Sequence, residues 1–172
     1  PAQYKDQLIK AHKKHFQKLK RLLDGAANQV HYLKNPKAAK ILADKLHEYD
    51  GNYYFLKAYS IMSNHFHILI DTSIQLEKLK RGEAPDDDNY TSLAKIMQYI
   101  KGGSAFLINK EIGRSGTFWR GESYDHLVRD GDESFRIHRY ILNNPVKAGI
   151  VGEWQAHGFT YSCVPELHRK GA

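Results

Sequence analysis

Residues 52–71, Asn52-Tyr53-Tyr54-Phe55-Leu56-Lys57-Ala58-Tyr59-Ser60-Ile61-Met62-Ser63-Asn64-His65-Phe66-His67-Ile68-Leu69-Ile70-Asp71, decide the fold. Asn52 to Ile61 is rich in tyrosine and phenylalanine and reads as a strand. Ser63-Asn64 is a tight connection into a second strand, His65 to Asp71, so the two strands form an antiparallel hairpin. Side chains alternate faces along a strand, which puts His65 and His67 on one face and aims Phe66 at a core on the other. Two imidazoles therefore point at one spot, and that spot reads as a candidate metal site.

The flanks read mostly as helix. Residues 3 to 24 predict a helix with an apolar stripe of Leu8, Ala11, Phe16, Leu19, Leu22 and Leu23 among lysines, closed by Gly25. Asn35-Pro36 opens a second helix running to about Tyr49, with Asn35 as N-cap and proline in the first turn. Beyond the hairpin, Thr72 to Asn89 is polar and reads as a surface loop; its Asp86-Asp87-Asp88 run is a solvated triplet, since adjacent carboxylates in a loop point in different directions. Thr91 or Ser92 caps a helix carrying Leu93, Ile96, Met97, Ile100, Phe106 and Leu107, which Gly102-Gly103 would loosen or kink. Thr117 to Arg129 supplies one or two more strands around Trp119 and Tyr124, and a last helix follows Asp130-Gly131-Asp132.

Composition narrows the function classes. The chain has 172 residues, enough for a single domain with a real core, and divides into a helical part (1–50), a core (52–150) and a tail (151–172). A net charge of +7 suits a polyanionic partner. A lone cysteine, Cys163, excludes an intrachain disulfide framework, and no apolar run reaches the roughly 20 residues of a membrane helix. A cytoplasmic location, with no membrane partner, is the expectation. The first residue is Pro1 rather than methionine, so the chain is expected to start inside a longer gene product.

The remaining chemistry lies in Arg139-Tyr140-Ile141-Leu142-Asn143-Asn144-Pro145-Val146-Lys147-Ala148-Gly149. Tyr140 and Asn144 are four apart and share a helix face that can look at the histidine strand. Because Asn144 precedes proline, it is expected at the helix C-cap, with Asn143 as the fallback ligand. Two imidazoles and one amide oxygen leave open coordination positions and suit Mn²⁺ or Mg²⁺ with a bound phosphate, although imidazole also accepts Zn²⁺. A phenol with a pKa of roughly 10 is a poor nucleophile at neutral pH. A divalent ion polarising a phosphodiester, with Arg136 and Arg139 holding phosphate, would supply the missing activation.

These segments, together with Gly113-Arg114-Ser115-Gly116-Thr117-Phe118-Trp119, resemble the REP-associated tyrosine transposases, relatives of the small insertion-sequence transposases. The likeness runs from about Tyr32 to the Trp154 region, and three ordered motifs make it more specific than any one of them. It implies an α+β HUH endonuclease fold, a ferredoxin-like or RNA-recognition-like antiparallel sheet flanked by helices. It implies that His65, His67 and Asn144 bind the metal and that Tyr140 is the catalytic nucleophile. The implied substrate is single-stranded DNA with hairpins formed by palindromic repeats, cleaved to a 5′-phosphotyrosine and a 3′-hydroxyl in the cytoplasm, at the bacterial nucleoid. One departure concerns the leading sheet strand with which the family opens. Only Gln29-Val30-His31-Tyr32-Leu33 resembles it here, so that strand is expected outside these residues, leaving a sheet edge open to self-pairing and possible homodimers.

Arg114 and Arg120 are candidate phosphate contacts, and Trp119 with Phe118 can stack on unpaired bases, although aromatics beside glycines more often pack in a core. Tyr124 is the second choice of nucleophile; Tyr53, Tyr54, Tyr59 and Tyr99 read as packing residues, and His126 and His138 as ordinary polar ones. Two rival functions stand beside the transposase. One is a repeat-binding protein of the same fold without strand transfer, and the other is a hydrolase whose histidines hold a metal that activates water.

Overall fold

A computed structural model describes residues 30–86, 88–121 and 123–164, so the helix expected over residues 3 to 24 lies outside the described residues. In chain order the elements are α1 (Pro36–Glu48), β1 (Phe55–Ile61), β2 (Phe66–Asp71), α2 (Ser73–Glu77), α3 (Leu93–Glu111), α4 (Gly131–Leu142), α5 (Asn144–Lys147) and β3 (Thr160–Ser162). The protein is a small α+β domain built on a three-stranded antiparallel sheet of order β2-β1-β3, with helices on both faces.

Local sequence sets most of these boundaries. Asn35 accepts a hydrogen bond from Lys37 N at 2.9 Å, and Pro36 occupies the first turn of α1, where its missing N–H leaves no gap in the helix. β1 begins later than the aromatic run suggests because the Asn52 and Tyr53 amides bond back to the Tyr49 carbonyl, at 3.2 and 3.0 Å. The turn then closes on Asp50, whose carboxylate accepts from Leu56 N at 2.8 Å, and Gly51 takes a φ of 75° that side-chain-bearing residues avoid. The hairpin pairs Ser60 with His67 and Ile61 with Phe66, and Met62 N closes the connection on the His65 carbonyl at 2.8 Å.

A bulge between Leu56 and Ala58 changes which face β1 offers to which helix. Leu56, Tyr59 and Ile61 pack with α1 and α3, whereas Ala58 packs with α4. β2 needs no bulge to do the same: Phe66, Ile68 and Ile70 join the α1–α3 side and Leu69 joins α4. Leu42, Leu46, Ile96, Ile100 and Ile108 are fully buried on the first side, each contributing about 1.5–3 kcal/mol through burial.

Several expectations need correction. Gly102-Gly103 does not interrupt α3, which runs unbroken from Leu93 to Glu111. A Cβ on Gly103 would sit 3.1 Å from Lys45 Cε, the flexible end of a side chain on α1. Among the described residues of Thr117 to Arg129 there is no strand. Phe118 and Trp119 are adjacent yet join the same aromatic cluster, in edge contact at 4.8 Å, which the face alternation of a strand forbids. The polar stretch after β2 contains α2, whose buried Gln75 ties Tyr53 O and both backbone groups of Thr91 together. Val30 to Leu33, the described part of the Gln29 to Leu33 stretch, forms no strand: it enters a 3₁₀ turn, Tyr32–Lys34, and Leu33 N bonds Ser63 O at 3.0 Å.

Candidate active site

β2 and α4 build the site from opposite sides. His65, just ahead of β2, and His67, within it, present their rings to the α4 side, 5.0 Å apart between centroids and nearly perpendicular at 89°. α4 is started by the Asp130 carboxylate, which accepts from Glu133 N at 2.7 Å, while the Glu133 carboxylate reaches back to Arg129 N at 2.9 Å. Ile141 and Leu142 anchor the far end of α4 on Ala58 and Leu69. That docking turns Tyr140 toward the sheet, with its ring edge-on to His67 at 5.7 Å and its hydroxyl oxygen buried.

Asn144 is buried too, but not as a C-cap. Asn143 takes that position, and Asn144 opens the one-turn helix α5 with Pro145 in its first turn. A proline continuing α4 would have broken its hydrogen-bond ladder, whereas at the start of a new turn its missing N–H is tolerated. The Asn144 amide nitrogen donates to the Tyr140 carbonyl at 2.9 Å, which couples the two residues across the junction. Gly149, at φ 68°, then ends the turn.

His65, His67 and Asn144 are the side chains here that could offer donors to a divalent cation. Asn64 Oδ1 holds His65 Nδ1 at 2.7 Å, a partner of the kind that fixes a ligand ring and leaves Nε2 as the donor. With the Asn144 amide nitrogen already engaged, Oδ1 is the atom it would offer. Among the described residues no cluster of three or more His, Cys, Asp or Glu side chains is placed to hold a metal ion. Two imidazoles and one amide oxygen would leave coordination positions open, as a catalytic rather than a structural site requires.

The other candidates are spread more widely. The half-buried Arg114 is engaged within the protein: Nε donates to Tyr32 Oη at 2.8 Å, Nη1 to Asn109 Oδ1 at 2.9 Å and Nη2 to Thr117 O at 2.8 Å. It staples a loop. Trp119 Nε1 donates to Ser104 Oγ at 3.1 Å and the ring meets Phe66 edge-on, so it serves the core. Arg120 is exposed. Arg136 and Arg139 line a shallow depression of about 290 Å³ with Phe135, Tyr140, Asn143 and Lys147. Tyr124 is half-buried, and burial raises its phenol above the ordinary value, which makes it a weaker nucleophile.

Two residues in this region escaped the sequence reading. Lys147 places its ammonium 4.9 Å from the Tyr140 ring centroid, and Phe135 lies beside Arg139 with the guanidinium carbon 5.8 Å from its ring centroid. The spacing Arg136, Tyr140, Asn143, Lys147 is helical and was the available signal, hidden by the proline that divides it. His138 and His126 have structural roles: His138 bonds Ser162 Oγ at 2.9 Å and His126 pairs with Glu133 at 3.0 Å.

Comparison with known proteins adds little to this geometry. No family model matches the chain, and no solved structure does. An uncharacterized protein of Haemophilus influenzae is 26% identical over 93 residues, which is 50% of this chain and 51% of that protein. The chain thus spans about half the length of the relative it matches. Among the described residues no helix is long and apolar enough to cross a membrane.

Proposed function

We propose that the protein is a single-strand DNA transesterase of the tyrosine-transposase kind, with an HUH-type endonuclease fold. The observation that carries this reading is the meeting of Tyr140 with His67 at 5.7 Å, beside His65 and with Asn144 bonded to the Tyr140 carbonyl. His65, His67 and Asn144 would hold Mg²⁺ or Mn²⁺, which when bound supplies Lewis-acid polarisation of a phosphodiester oxygen. Tyr140 Oη attacks phosphorus, the bond from phosphorus to the 3′-oxygen breaks, and the phenolic proton is balanced by one taken up on the departing 3′-hydroxyl. The product is a 5′-phosphotyrosine. One phosphodiester has replaced another, so the link can be passed to a second 3′-hydroxyl without ATP.

Burial of the Tyr140 hydroxyl favours a second reading, a repeat-binding DNA-binding protein without strand transfer. The hydrolase reading has less support, because a zinc hydrolase site is typically completed by a third His, Cys or carboxylate ligand. Incubation with labelled single-stranded hairpin DNA and Mn²⁺ separates the three on a denaturing gel. The transesterase forms a protein-linked band that the His65→Ala/His67→Ala double variant lacks. Binding without such a band supports the repeat binder, and cleavage to products with no protein attached supports the hydrolase.

A further inference from the structure

Beside Tyr140, the stripe Arg136, Arg139, Asn143 and Lys147 forms, with Phe135, the depression of about 290 Å³. Three cations and one phenyl ring surround it. Phe135 is 53% exposed, which leaves its ring accessible from solvent. Among the described residues none of the three cations forms an ion pair, not even Arg136 with Asp132 one turn earlier. Their charge therefore remains available to an external anion. Asn143 adds an amide, which offers both a donor and an acceptor.

We propose that this depression is a subsite for one unpaired nucleotide of the DNA strand, its base stacked on Phe135 and its flanking phosphates on Arg136 and Lys147. The inference rests on the transesterase reading for the choice of DNA. The stacking partner must be unpaired, because bases in a duplex have both faces covered, whereas every unpaired base offers an aromatic face. The Arg139 guanidinium lies over one face of the Phe135 ring, 5.8 Å from its centroid, so the base would take the other face while the guanidinium fork matches phosphate geometry. The volume is near the lower end of ligand pockets, about 300 Å³, which suits a single nucleotide unit rather than a longer segment. The depression shares Tyr140 with the histidine site, so a nucleotide held there lies next to the reacting phosphate, and the subsite would register the strand for cleavage.

The test uses the full chain carrying Tyr140→Phe in EDTA, so that no covalent chemistry contributes. A single-stranded hairpin oligonucleotide with 2-aminopurine in its unpaired flank reports stacking by quenching. Phe135→Ala should remove the quench and weaken binding about tenfold, in keeping with the energy of one base on an aromatic ring. Arg136→Gln with Lys147→Gln should lower the slope of log affinity against log salt by about 1.4, given about 0.7 per phosphate on a single strand. An unchanged quench and slope in these exposed-residue variants would overturn the subsite, as would tighter binding of a fully duplex DNA or of the matching RNA. The reaction is tested separately: adduct formation with an unchanged quench in Phe135→Ala discards the subsite and keeps the transesterase. A Phe135-dependent quench without any adduct keeps the subsite and discards the chemistry.

Discussion

The two faces of the sheet differ in what they bury. Toward α1 and α3 the strands present Leu56, Tyr59, Ile61, Phe66, Ile68 and Ile70, a mainly apolar and aromatic layer in which buried Ser104 accepts from Trp119. Toward α4 the apolar contribution shrinks to Ala58, Leu69, Ile141 and Leu142, and polar groups fill the remaining space: Ser60, His67, His138, Asn144 and Ser162. Ser60 bonds Thr160 at 3.2 Å and His138 bonds Ser162 at 2.9 Å, so these groups are satisfied within the layer rather than left orphaned. One face carries stability and the other carries placement. A strand of period two can serve both at once, because changing one residue leaves the opposite face untouched.

The sharpest way to break this division is to remove one group from the polar face. Tyr140→Phe should abolish covalent adduct formation while changing stability by no more than about 1 kcal/mol, the scale of a single hydrogen bond. Chemical denaturation beside the gel assay checks both halves, and a large stability loss would mean that Tyr140 is a core residue. The matching change on the apolar face is Ile100→Ala, where the side chain is fully buried. It should cost about 2–5 kcal/mol of stability, yet leave adduct yield unaltered well below its melting temperature. Adduct loss in the still folded variant would show that the two faces are coupled.

A finer distinction comes from pH. Burial holds the His138 imidazole below its ordinary value of 6.5, and His157 shifts the same way for the same reason. The unfolded chain therefore binds these protons first. The stability from keeping them neutral is complete above about pH 6.5 and falls as pH drops from there toward the depressed folded values. His138→Gln keeps a donor for Ser162 and removes one of the two titrations, so melting temperature should fall less steeply below about pH 6.5 than in the parent. An identical slope would mean that His138 takes up its proton without penalty. The smallest effect belongs to Gly103→Ala, where helix propensity gains about 1 kcal/mol at most and the new methyl displaces only the end of the Lys45 side chain. Thermal melting should move by no more than a few degrees. A collapse in stability would show that the approach of α1 to α3 is tighter than Lys45 can relieve.

What could be read from the sequence was whatever a local period fixes. The hairpin, the caps at Asn35 and Ser92 and the common face of His65 and His67 follow from alternation and from side chains that satisfy helix ends. The bulge at Lys57 was not legible, since it shifts the register without leaving a proline or glycine to mark it. The strand expected around Trp119 misled because aromatic residues enrich strands and cores alike, whereas the core placement of Phe118 and Trp119 was the expected one and the bond to Ser104 fixes it. The partners of Arg114 were not legible either: a basic residue between glycines suits phosphate, and only the fold shows its fork donating to Tyr32, Asn109 and Thr117. Lys147 went unread because Pro145 argued against a continuous stripe, and the chain restored it by starting α5 within one residue of the end of α4.

The central claim, that α4 brings Tyr140 rather than another tyrosine to the reacting phosphate, is tested most directly by peptide mapping of the trapped protein–DNA adduct. After nuclease trimming and trypsin, the residual nucleotide mass should sit on the peptide from Tyr140 to Lys147. Nucleotide on the peptide from Gly121 to Arg129, which holds Tyr124, would contradict the assignment, and adduct carried by any other peptide would remove the histidine–tyrosine site from the reaction.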